Sequence, residues 1–84
     1  MTERSVIALR PAAPDEDADL RRLAELDSAS PLRTPALVAL VDGEPVAAVS
    51  LADGRAVADP FRPTADVVAL LRERAAGLRH AQAA

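Results

Sequence analysis

The chain of 84 residues contains no cysteine, tryptophan, tyrosine, lysine or asparagine, a single phenylalanine (Phe61), a single histidine (His80) and three glycines. Each absence excludes something. Without cysteine no disulfide can staple the fold, and the redox compartment is left open. One imidazole and no thiol leave almost nothing from which to build a structural metal site. All ten bases are arginine; with no lysine and 20 alanines the composition looks like that of a GC-rich genome. Those bases face 13 acids, for a net charge of −3, which argues against an electrostatic grip on nucleic acid or anionic lipid. Long apolar runs are also missing: Pro35 to Val41 is far short of the ~20 residues that span a bilayer. The start, Met1 to Ser5, is charged, and Arg10 and Pro11 interrupt any apolar run behind it, so no leader is expected and the cytoplasm is the expected location.

Half of the residues are hydrophobic, but 20 are Ala, 11 Leu and 8 Val. The core must be built of Leu and Val, with Ala letting backbones approach. A domain this small buries only about 60% of the surface its unfolded chain exposes, and such scaffolds usually need a staple. With disulfides and metal removed, oligomerisation or docking on a partner is the staple that remains.

Ser5 to Leu9 reads as a short strand closed by Arg10-Pro11. Pro14-Asp15-Glu16-Asp17 then opens a helix with proline at its first position and carboxylates in its first turn, although Ala13 at the N-cap position cannot cap. Leu20, Leu23 and Ala24, with Leu26 at the margin, form its apolar stripe, and it ends near Asp27-Ser28. Ser28 to Pro35 is a connector. Pro35 to Val41 and Pro45 to Leu51 are strand-length runs around Asp42-Gly43, and Asp53-Gly54 separates the second from a weak third run, Arg55 to Asp59, giving an antiparallel meander. Thr64 is the expected N-cap of a last helix whose stripe is Val67, Leu71, Ala75 and Leu78. Gly77 weakens its end, so 79–84 reads as a flexible, solvated tail. The expected fold is a single α+β domain over 1–84: a four-stranded, mostly antiparallel sheet with two helices in the order β-α-β-β-β-α.

Leu9-Arg10-Pro11-Ala12 followed by Pro14-Asp15-Glu16-Asp17 resembles the opening of GNAT-type N-acetyltransferases, and Val41 to Ala47 resembles that family's Asp-Gly hairpin. The resemblance covers roughly residues 5–60 and implies the N-terminal half of a GNAT fold. In the family, the fourth strand leads into a glycine-rich loop whose amides and following helix hold the pyrophosphate of acetyl-CoA. Here Asp59 to Asp66 has no glycine, two prolines without an N–H, and two carboxylates. The later strands and a tyrosine acid are also missing. The departures therefore imply a half-length, non-catalytic relative or a convergent α+β mimic of one, with no cofactor expected and acetyl-CoA not favoured as a ligand.

Arg62 beside the helix start at Thr64 is the best anion-site candidate, although a plain capped helix with a surface arginine explains both residues. Asp15, Glu16, Asp17 and Asp19 lack the calcium-loop pattern, and helix-dipole stabilisation accounts for the first three, so no metal is expected. His80, Ser28, Ser30 and Thr34 have no activating neighbours in the sequence, and no catalytic residue is assigned. Phe61 is expected to plug the space between the sheet and the last helix; if exposed it would anchor a partner. The favoured function is a protein-interaction or assembly module, most simply a homodimer, with Val57, Phe61, Leu71 and Leu78 as interface candidates on the last helix and the weak strand. The competing readings are a small acyltransferase that binds acyl-CoA as a dimer, and a ligand-sensing regulatory domain.

Overall fold

Valine, leucine and alanine in runs of six or seven residues, punctuated by Asp-Gly turns, form the centre of the molecule. The computed structural model describes residues 6–83, with side chains described as far as Arg79. β1 (Ile7–Pro11) leads through a 3-10 turn (Pro14–Glu16) into α1 (Asp17–Leu26); β2 (Ala36–Val41), β3 (Glu44–Ser50) and β4 (Ala56–Ala58) follow, and α2 (Ala65–Ala83) ends the chain. The four strands form one antiparallel sheet in sequence order. This is the α+β layout expected from the sequence.

Both hairpin turns use the residues that tight turns demand. Asp42 and Gly43 both have positive φ, at 51° and 84°, the pair of left-handed residues a two-residue hairpin requires. The next turn places Gly54 at φ 79°, and the buried Ser50 hydroxyl accepts the Ala52 amide at 3.0 Å and the Asp53 amide at 3.3 Å. The first strand lies two residues later than expected. Arg10 pairs with Val38, and Pro11 sits opposite Leu37. Because β1 is an edge, the missing Pro11 amide costs the ladder nothing where it faces outward.

The sheet is covered on both faces. Leu37, Ala39, Val46, Ala47 and Val49 meet Val67, Leu71 and Ala75 of α2 on one face, while Ala36, Ala48 and Val57 meet Leu20, Leu23 and Ala24 of α1 on the other. Strict alternation would put Val46 and Ala47 on opposite faces. A β-bulge overrides it: Ala39 pairs with Ala47 and Leu40 with Pro45, which leaves Val46 as an extra residue. Two consecutive β3 residues therefore enter the α2 core. Leu32, in the connector, completes the α1 core; surrounded by Pro31, Arg33 and Thr34, it carries no periodic signal.

Two expectations need correction. Phe61 does not plug the sheet against α2. It is 82% exposed, held outward by a turn in which the Asp59 carboxylate accepts the Phe61 amide at 2.9 Å and the Asp59 carbonyl accepts the Arg62 amide at 3.3 Å. Val67 and Val46 fill the space instead. Nor is the backbone beyond Arg79 a coil: α2 continues past Gly77 to Ala83, because one glycine costs a helix only about 1 kcal/mol. The His80 side chain and Ala84 lie outside the described residues.

Leu71 is fully buried between α2 and the sheet, and Arg72 beside it is exposed. Leu71→Ala is expected to lower the unfolding free energy by about 2–5 kcal/mol, and Arg72→Ala by less than about 0.5 kcal/mol, as read from urea denaturation followed by circular dichroism.

Candidate functional site

Glu16, at the end of the 3-10 turn, is one of the titratable groups whose environment shifts it. Its residue is buried, its Oε2 accepts the Arg10 Nη2 at 2.9 Å, its Oε1 accepts the Arg10 Nη1, and Oε1 also accepts the Ala13 amide at 2.8 Å. The Arg10 guanidinium first, and the Ala13 amide second, hold the Glu16 carboxyl below the usual carboxylate range, while partial burial opposes them. Glu16 in turn raises Arg10. Glu16 thus does what Ala13 cannot, capping the helix start by reaching back three residues. At the same time it ties the α1 approach to β1. Both carboxylate oxygens are occupied, and neither faces a cleft as an unpaired acid, so the pair is structural. The other depressed acid, Asp53, owes its shift mainly to the Arg55 amide, with the Ser50 hydroxyl and the Arg55 and Arg33 charges adding to it against desolvation. It shapes the β3–β4 turn.

The anion-site candidates do come together. Arg62 and Thr64 line a cleft of about 320 Å³ with Ile7, Val41, Val46, Pro63 and Val67. Thr64 takes the N-cap position, its carbonyl accepting the Val68 amide at 2.8 Å. The charge is wrong for an anion, however. Arg62 Nη2 lies 3.2 Å from Glu44 Oε2, and Asp66 occupies the first helical turn. Such an exposed ion pair contributes at most about 1 kcal/mol, but it leaves the mouth without net positive charge. Among the described residues, no group of three or more His, Asp or Glu gathers to hold a metal. No helix of the described residues is long and apolar enough to cross a membrane.

Of the four interface candidates, the structure puts Val57 and Leu71 in the two cores, at 1% and 0% exposure. Both are large side chains on faces that the helices cover, so neither can meet a partner. Phe61 and Leu78 are on the surface. Leu78 lines a groove of about 670 Å³ between β1 and α2, with Leu9, Pro11, Leu37 and Leu70, and with Arg10, Glu73 and Arg74 as its charged lining residues. The exposed Ile7, two residues from Leu9 on the same face of β1, continues the apolar surface. The sequence gives this groove no motif; its residues come from three elements separated by up to 69 positions.

The sheet's two edges differ. β4 has three residues, and the amide of Ala58 donates to the Asp27 carboxylate, at the end of α1, at 3.2 Å. On β1, Ala12 donates to the Ala36 carbonyl at 2.9 Å and Asp42 to the Val6 carbonyl at 2.8 Å. Ladder bonding recurs every second residue, so positions 6, 8, 10 and 12 bond inward. The amides of Ile7 and Leu9 face out.

Because the Glu16 carboxyl is depressed in the folded chain, its contribution is present above the unfolded carboxylate pKa of about 4.3 and is lost as pH falls through the lower folded value. Glu16→Gln is expected to be less stable than the parent chain at about pH 7, and the gap in urea midpoints to shrink as pH falls below the unfolded carboxylate value. A gap undiminished by acid would assign the loss to packing rather than charge. Comparison with protein-family models, curated proteins and solved structures found no match.

Proposed function

We propose that the chain is a non-catalytic, GNAT-like half domain that serves as a protein-interaction or assembly module and associates with a second copy of itself. The observation that carries this reading is the apolar surface along β1 and α2 that the fold leaves uncovered: Ile7 is 47% exposed, Leu70 44% and Leu78 39%. A chain whose large apolar side chains are nearly all Leu and Val leaves these on its surface beside a groove. Exposed apolar side chains gathered beside one groove are a feature that interaction sites share.

The absence of catalysis rests on the start of α2. An acyl-CoA pyrophosphate would need free backbone donors and positive potential there. Pro60 and Pro63 have no amide hydrogen, and Glu44 already neutralises Arg62.

Calorimetry with acetyl-CoA is expected to give no saturable heat at ligand concentrations up to about 100 μM, and binding in the micromolar range would sink the non-catalytic reading. Light scattering after gel filtration, with the protein loaded at about 100 μM, is expected to give twice the 8.8 kDa chain mass. A monomer at that concentration would remove self-association.

A further inference from the structure

We infer that the second copy docks edge to edge, β1 pairing antiparallel with β1 of the partner subunit about a twofold axis at Leu9, so that two four-stranded sheets become one of eight strands. The inference rests on the self-association proposed above and identifies its surface. It starts from the difference between the edges. At β4, Asp27 takes up the Ala58 amide, and the strand is only three residues long. At β1, the amides of Ile7 and Leu9 face outward along five residues, and no hydrogen bond from the described residues reaches them. An open strand edge is a template for another strand.

The register follows from the sequence of β1. Centring the axis on Leu9 matches the whole strand with its copy. Leu9 exchanges two hydrogen bonds with Leu9 of the partner subunit, and each Ile7 amide reaches the partner's Pro11 carbonyl. Pro11 has no amide to give back, so the ladder ends there. On the α1 face, Arg10 then lies opposite the partner's Ala8, whereas a two-residue shift toward Pro11 would oppose Arg10 to the partner's Arg10 across the sheet. Like charges directly opposite destabilise a strand pair.

The side chains agree with the backbone. A twofold axis perpendicular to the sheet keeps both α2 helices on the same face, so the two grooves lined by Leu9, Pro11, Leu37, Leu70 and Leu78 open onto each other. Isologous contact sets a patch against itself, which requires self-complementarity. Glu73 and Arg74 supply it: they are adjacent, opposite in sign and both line the groove, so Glu73 can face the partner's Arg74 across the axis, and the reverse. A strand from a different protein would satisfy the edge but would not use this charge pairing.

The lack of cysteine makes the test clean. In a hydrogen-bonded antiparallel pair the Cα atoms lie about 5.5 Å apart, within disulfide range. Leu9→Cys is expected to oxidise to a covalent dimer at least tenfold faster than Ala58→Cys on the other edge, and equal rates would overturn the inference. As a second test on surface positions that do not threaten folding, Glu73→Arg is expected to raise the dimer dissociation constant at least tenfold, and the double exchange Glu73→Arg with Arg74→Glu to restore it. If the parent chain is dimeric but neither substitution has its effect, self-association stands and this surface is wrong. If the parent chain is monomeric at about 100 μM, self-association itself fails and the edge is left to a strand from another protein.

Discussion

Helix width against sheet width governs this molecule. Four strands spaced about 4.8 Å apart span roughly 19 Å, and a helix with its side chains is about 10–12 Å across. One helix therefore covers about two strands. The chain has one helix for each face, and they do not sit over the same strands: α1 packs on β3 and β4, α2 mainly on β2 and β3. Among the described residues the centre of the sheet is covered twice, whereas on β1 only the half-buried Leu9 packs against the α2 core. What happens at β1 follows from that shortage. On the α2 face, Leu9 and Pro11 line an open groove. On the α1 face, Arg10 is opposite Val38, and its guanidinium reaches Glu16. This ion pair lies on the α1 face of β1, beside the fully buried Val38 of the next strand.

Small side chains make double coverage of the centre feasible. Ala39, Ala47 and Ala48 are all fully buried, and each saves volume exactly where helices approach from both sides, though it also contributes little apolar area. The bulge at Val46 offsets part of that loss by sending a larger residue to the α2 core beside Ala47. A side effect is register: with the bulge fixed, sliding β3 by one residue would exchange the side chains that meet α2 with those that meet α1.

Much of this was legible in the residues. The Asp42-Gly43 and Asp53-Gly54 turns, the α1 stripe from Leu20 to Ala24 and the α2 stripe from Val67 to Ala75 follow from turn chemistry and period. Phe61 did not. Hydrophobicity says that an aromatic is buried, but Asp59 and two prolines set the local backbone, and the turn they make points Phe61 outward. Leu32 was invisible for the opposite reason, being a core residue in a segment without regular structure. The Arg10–Glu16 pair spans a turn and two elements, and only the proximity created by folding reveals it, although a glutamate three residues after an uncappable Ala13 is the signal that could have found it. The groove beside β1 is legible only once it is known which strands each helix covers.

The carboxylate of Asp27 at the Ala58 amide has a meaning beyond the local bond. In the language of polymerisation, a sheet with two open edges is a bifunctional monomer and can grow without limit, as fibrils do. Capping the Ala58 amide on a strand of only three residues leaves β4 a much poorer template than β1 and moves the chain toward monofunctional behaviour. Strand addition at β1 therefore favours a pair over a filament.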